Sequence, residues 1–447
     1  MRRNLRTVIR KLDYSQTEQE IESREAETLK AIENESYDFS SYKKSVYTKN
    51  GRKRIIYSFD TVSIENIICH YLKKEVDNVF HIKYASRSKI MTLFFNTLPA
   101  IRDMNDFVIV RVDFKDFFNS IYTEHVFEKY IQNSSIRHAD KDLLQKYTNE
   151  FKFCYAGLCL SNGMAEIVCR DFDHLIKAKL EQYGLFFYER YVDDMLIMLK
   201  AYIDKDSFLQ LFEDAIKDVF SKCPVKISMK TDKFSFITCR DLQQTSMINK
   251  SAVTEHLSFL GYDFFINYAE NDKKPISFRY GISKKKRDRY KHLIEPAFIE
   301  YKNNGNIELF RQRLKIFSAR TVVPRSVGSK RIEWLTNGIT SHYGELRYHL
   351  DDLDLDTEKD LKEMFSNLFD TYGIAEPYFM KNDQSQNSIY NLYSCLRRNR
   401  SIIFDKRIGV QRADLVRWIK KINPFYREDN KRYYQLVMEY FELLAIK

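Results

Sequence analysis

Tyr191-Val192-Asp193-Asp194 lies between two apolar runs, Leu185-Phe186-Phe187-Tyr188 before it and Met195-Leu196-Ile197-Met198-Leu199 after it. Strand-forming residues on both sides of a short acidic turn read as a β-hairpin whose tip carries two adjacent carboxylates. Such neighbours repel each other and desolvate poorly, so a pair that is buried even in part calls for a cation. Asp is also a common turn residue, because its side chain can bond its own backbone. A second acidic position weighs against that simpler reading. Phe107-Val108-Ile109-Val110-Arg111-Val112 is a compact apolar strand that ends in Asp113 and is followed by Phe114-Lys115-Asp116-Phe117-Phe118. One carboxylate at a strand end and a pair at a hairpin tip are the parts needed to hold two divalent cations roughly 3.5–4 Å apart, clamping the attacking and leaving oxygens of a phosphoryl transfer. Oxygen-only ligands suit Mg²⁺, with Mn²⁺ as a substitute, rather than zinc.

Further segments in order along the chain give a resemblance to the reverse transcriptases. Asp113 with Phe117 and Phe118 matches the first metal-binding motif of that family, and Tyr191 to Asp194 matches its YxDD hairpin. Between them, Gly157-Leu158-Cys159-Leu160-Ser161-Asn162-Gly163-Met164-Ala165-Glu166 stands where the family has a Gly-Leu-Pro turn leading into a helix. Phe259-Leu260-Gly261-Tyr262 matches the segment that grips the primer end, and Lys49-Asn50-Gly51-Arg52-Lys53-Arg54-Ile55-Ile56-Tyr57 the basic fingers segment. The resemblance covers roughly residues 45 to 265. It implies an α+β fold, a right-hand polymerase core of fingers, palm and thumb, here with an α-helical C-terminal extension.

For the site, the resemblance implies that Asp113, Asp193 and Asp194 are catalytic and, with the Phe114 backbone carbonyl, hold two Mg²⁺ ions. Lys49 and Arg54 would meet the triphosphate, with Gly157 and Ser161 beside the incoming nucleotide. Phe118 aligns with the aromatic that crowds the sugar 2′ position and so selects dNTPs; its alternative is a place in the core. Phe259, Leu260 and Gly261 would form the primer grip. The implied partners are an RNA template, dNTPs and a DNA product.

Cys159-Leu160-Ser161 replaces the family's Pro-containing turn. That departure, with a compact core and a helical extension, looks most like the bacterial abortive-infection and defence-associated reverse transcriptases, which implies antiphage defence with a dedicated noncoding RNA template. A retron or group II intron-type enzyme, untemplated or protein-primed synthesis, and an RNA-binding scaffold without activity are the competing readings. A homo-oligomer or a partner protein is left open.

Composition agrees with this picture. The chain has 447 residues and a net charge of +11, which suits a polyanionic partner whose counterions are released on binding. The densest positive run, Lys284-Lys285-Lys286-Arg287-Asp288-Arg289, is either a solvated helix face or a contact for a nucleic-acid backbone. Seven cysteines without CxxC spacing read as reduced, packed thiols. No apolar stretch approaches the roughly 20 residues that span a bilayer, so a soluble cytoplasmic protein is expected. Twelve Gly and seven Pro leave little room for linkers, and one continuous compact body is expected.

The elements that must position these residues divide the chain into five stretches. Residues 1–40 read as an N-terminal helical arm that begins with a basic stretch and continues into a surface helix over Thr17 to Glu33, with Ile21, Ala26, Leu29 and Ile32 as its apolar face. Residues 41–105 would be the fingers, including an amphipathic helix over Val62 to Phe80. The palm spans 106–270, where Met164, Val168, Phe172, Leu175 and Ile176 mark the buried stripe of a helix ending at Gly184. Residues 271–349 read as a thumb-like helical region and 350–447 as an α-helical C-terminal domain.

Overall fold

The computed structural model describes the whole chain except residues 14–15, 50–51, 271–273, 328–330, 382–388, 429–430 and 446–447. Helices and sheets are mixed, and the chain divides into two compact units rather than one body. The first comprises Met1–Ile90, Asp103–Asp241 and Val327–Ser329; the second comprises Met91–Arg102, Leu242–Ser326 and Lys330–Lys447. No helix of the described residues is long and apolar enough to cross a membrane.

The first unit is built on a hairpin and a four-stranded sheet. Lys43–Lys49 (β1) and Arg52–Ser58 (β2) pair antiparallel in the basic segment near the N-terminus. Val108–Asp113 (β3), Leu185–Tyr191 (β4), Asp194–Leu199 (β5) and Ser235–Thr238 (β6) form an antiparallel sheet in the order β4-β5-β3-β6. Every residue of β3 and β5 is buried, as expected of central strands made of Val, Ile, Leu and Met. Helix Cys159–Glu181 packs on Ile64–Val79 and on Lys205–Phe220. Its buried Leu160, Met164, Val168, Phe172, Ile176 and Leu180 recur at helical spacing, and Leu175 is only half-buried. Gly184, φ 66°, turns the chain from that helix into β4.

Two local expectations shift. The basic N-terminal arm is itself a helix, Arg2–Leu12, which buries Leu5, Val8 and Ile9. In Glu18–Glu33 the buried face is Ile21, Glu25, Thr28 and Ala31, and Ala26 is exposed. Glu25 takes a place on that face because its carboxylate is paired with Arg6.

The second unit holds two further sheets. Val253–Phe259 (β7), Tyr262–Tyr268 (β8) and Ile276–Ile282 (β9) form an antiparallel meander. Arg320–Val327 (β10), Arg331–Asn337 (β11) and Ser401–Ile403 (β12) form a sheet in the order β11-β10-β12, with β10 and β12 parallel. Strands thus stand in both stretches read as helical, where β-branched runs such as Thr321-Val322-Val323 favour a pleated surface. Residues on either side of position 350 are joined closely: Tyr280 bridges to Leu353, and helix Leu355–Tyr372 packs on helix Lys284–Asn304.

Candidate functional site

β3 and β5 run antiparallel in a register that pairs Asp113 with Asp194. The hairpin turn between β4 and β5 is Val192-Asp193, so strand pairing alone places the third carboxylate beside the first two. The Phe114 N–H donates to the Asp193 carbonyl at 3.1 Å, tying the end of β3 to the hairpin tip. On its other side β3 pairs with β6, Arg111 opposite Ser235. Two residues further along that register comes Lys233, whose ammonium pairs with Asp113 Oδ2.

The charges are arranged as pairs. Arg111 Nε and Nη2 donate to Asp194 Oδ1 and Oδ2, 2.9 Å each, in a bidentate contact with both residues buried. Burial pushes the Asp113 carboxyl up to about 6; Asp193 and Asp194 push the same way, and the hydrogen bond from Lys233 opposes them. Asp194 and Asp113 are thus each paired with a cation, Arg111 and Lys233.

The tip is held from behind. Val192 has φ 61°, the left-handed region in which a β-branched side chain costs roughly 1–3 kcal/mol. Arg190 Nη1 donates to the Val192 carbonyl at 2.9 Å. Its guanidinium also reaches Glu166 at 2.8 and 3.0 Å and Asp173 at 2.9 Å, both on helix Cys159–Glu181. The Tyr188 hydroxyl donates to the same Asp173 at 2.7 Å.

A cavity of about 150 Å³ opens beside this tip, lined by Tyr84, Phe118, Asn162, Glu166, Tyr191 and Val192 among others. Phe118 is half-buried there, edge-on to Phe117 with ring centroids 5.3 Å apart. Phe114 is buried, its ring stacked on Phe117 and edge-on to Phe172.

Gly157 and Ser161 do not line the cavity. Gly157, φ 101°, lies against β2, where an added Cβ would stand 2.4 Å from Ile56 Cγ2 and from the Tyr57 carbonyl oxygen. Ser161 is buried with its hydroxyl 3.4 Å from that of Tyr147. Lys49 and Arg54 lie on β1 and β2, but their side chains fall outside the described residues.

The remaining expected residues belong to the second unit. Phe259 ends β7 and is buried, and Leu260 and Gly261, φ 48° and 86°, make a tight turn into β8. Of the basic run, Lys284, Lys285 and Arg289 are exposed, Lys284 within 3.0 Å of Asp288. Lys286 is half-buried. Arg287 turns inward: its Nε donates to Asp360 at 2.5 Å and its Nη1 to Thr357 at 3.2 Å, so it fastens two helices rather than facing solvent.

Among the described residues no three His, Cys, Asp or Glu side chains form a ready metal cage. The donor chemistry at the first unit's site nevertheless fits a hard divalent cation. Asp113 and Asp193 offer oxygens only, and the Asp113 carboxyl is raised by burial first, with the charges of Asp193 and Asp194 adding to it. Asp194 has both oxygens on Arg111.

Sequence patterns missed Arg111, Lys233 and the Arg190 clamp. An arginine inside an otherwise apolar central strand was a readable sign, because a buried charge needs a partner. Nothing in the spacing marked Lys233, which is 120 positions from Asp113.

No protein-family model matches the chain, and no curated protein matches its sequence. Among solved structures it is similar to telomerase from Candida albicans in complex with a TWJ fragment of telomeric RNA, with 12% identity, a TM-score of 0.38 and coverage of 90% of this chain and 61% of that one. The corresponding Candida tropicalis complex gives 12% identity, a TM-score of 0.36 and coverage of 91% and 64%. C. tropicalis apo telomerase truncated from its C-terminal domain gives 12% identity, a TM-score of 0.33 and coverage of 54% and 55%. The chain thus spans less than two thirds of the length of each of these telomerases. Likeness this slight carries no argument about its chemistry.

Proposed function

We propose that the protein is a nucleotidyltransferase, an RNA-directed DNA polymerase with a right-hand core, that extends a primer 3′-hydroxyl with dNTPs. The observation that carries this reading is the register that sets Asp113 against Asp194 with Asp193 at the adjoining turn, next to a cavity walled by Phe118 and Tyr191. Asp113 and Asp193 would hold Mg²⁺. When bound, the metal supplies charge stabilisation to a phosphoryl transfer and lowers the pKa of the attacking hydroxyl.

The chain's own residues do the rest. Arg111 holds and orients Asp194, and Arg190 fixes the turn that aims Asp193. Lys233 holds positive charge on Asp113 and can leave it for a phosphate oxygen, since its side chain is one-third exposed. Phe118 narrows the cavity and favours a sugar without a 2′-hydroxyl. A role in bacterial antiphage defence, with a dedicated noncoding RNA as template, extends this reading on the strength of the divergent Gly157-to-Ser161 segment.

The test is to purify the full chain with the nucleic acid it retains, supply labelled dNTPs and Mg²⁺, and sequence the retained RNA and the product. DNA complementary to one retained RNA supports the proposal in full. Random or homopolymeric DNA keeps the transferase and removes the template, and no product with any divalent metal sinks the activity.

A further inference from the structure

Helices Ile307–Ser318, Arg412–Ile422 and Tyr433–Leu444 of the second unit share a core that includes Ile316, Leu415, Ile419, Leu436 and Tyr440. At its rim lies a cavity of about 430 Å³ whose lining includes Arg311, Lys315, Arg417, Lys421, Trp418 and Glu308. A neighbouring cavity of about 640 Å³ shares Arg417 and Lys421 and adds Arg412 and Lys420. Six cationic side chains thus converge on one rim.

Two of the three carboxylates nearby are engaged, and Glu308 keeps its buried Oε2 without a hydrogen-bond partner. Glu308 lies 3.8 Å from Arg311, Glu428 lies 3.1 Å from Arg412, and Asp414 pairs with Arg417. Among the described residues, no carboxylate is within ion-pair distance of Lys315, Lys420 or Lys421. Lys315 is half-buried and rests over the Trp418 ring, its Nζ 3.7 Å from the centroid. Burial, then the charge of Arg311, pushes its ammonium down to about 8. A merely solvated basic helix face would keep its lysines in water. Here one is drawn in beside an indole, and an anion would relieve the crowding of charge.

We propose that this rim is a nucleotide-binding site, in which Lys315 swings from the Trp418 ring to join Arg417 and Lys421 on phosphate oxygens and a base takes its place over the indole. Arg and Lys donors recognise phosphate, and an indole face accepts any base, so the ligand class is a nucleoside phosphate. It arrives either as a free nucleotide or as a unit of a single strand.

The chain has two tryptophans, Trp334 and Trp418, so Trp334→Phe leaves Trp418 as the sole indole reporter. ATP and a short oligouridylate are titrated separately into the full-length protein while Trp418 emission is followed. Emission that saturates with ATP identifies the free nucleotide, and emission that responds only to oligouridylate identifies a strand. Either supports the site if Lys315→Met and the exposed double variant Arg417→Gln/Lys421→Gln each raise Kd about tenfold. Lys421 and Arg417 are on the surface, so the double variant tests the site independently of the packing change that Lys315→Met makes beside Trp418. Unchanged emission with both ligands, or a response indifferent to both variants, overturns the proposal.

Discussion

Arg111 holds both carboxylate oxygens of Asp194 from a position two residues before Asp113 on the same strand. Residues two apart on a strand share a face, so one strand carries both a candidate ligand and the clamp for its neighbour. The three carboxylates thereby stand in different surroundings. Asp194 is fixed by both of its oxygens, Asp113 is paired through Oδ2 with Lys233, and Asp193 lies in the adjoining turn.

Asp193→Asn and Asp113→Asn should each lower nucleotide incorporation by about a thousandfold or more while leaving the fold intact, since each removes a charge that a divalent cation needs. Single-turnover incorporation with circular dichroism checks this. Incorporation unchanged in Asp193→Asn eliminates the site.

Arg111→Met leaves Asp194 buried without its partner, which typically costs about 3–5 kcal/mol. Urea denaturation should show the loss, and Arg111→Met/Asp194→Leu should recover most of the stability without recovering incorporation.

Phe118→Val should widen the cavity beside Tyr191. The expected result is a ratio of dNTP to NTP incorporation that falls about tenfold or more, the scale on which a pocket discriminates small groups. If Phe118 serves only as core, stability falls and the ratio stays put.

Gly157→Ala forces a Cβ to within 2.4 Å of β2 at φ 101°. A loss of roughly 2 kcal/mol or more is expected from the clash and the backbone strain together, measured by thermal or denaturant unfolding.

Lys315 gives a pH signature. Its folded pKa, about 8, lies below the ordinary 10.5, so between these values the unfolded chain binds more protons and stability gains as pH rises. Below pH 8 the cost of the buried ammonium is present in full. Lys315→Met should therefore be more stable than the parent at neutral pH, with an advantage that shrinks from pH 8 towards 10.5 in paired melting curves.

Much of the first unit was legible in the sequence. Strand β3, the β4-β5 hairpin and helix Ile64–Val79 follow from apolar runs and periodicity, because their partners in the core are set by local pattern. The acidic residues were visible for the same reason. What joins them was not: Lys233 reaches Asp113 through the pairing of β3 with β6, a long-range register that no local spacing encodes. Glu25 and Arg287 lie buried because of ion pairs, and hydrophobic patterning has no means to foresee a charge placed inside by its partner. The parallel pairing of β10 with β12 escaped because it joins segments about eighty residues apart.

Glu166 belongs at once to the wall of the cavity beside Phe118 and to the clamp on Arg190, which in turn grips the carbonyl of Val192. Whatever fills that cavity leans on the same carboxylate that steadies the turn. Cavity wall and hairpin tip thus share one support, so that replacing Glu166 alters the lining and the hold on the Val192 carbonyl together.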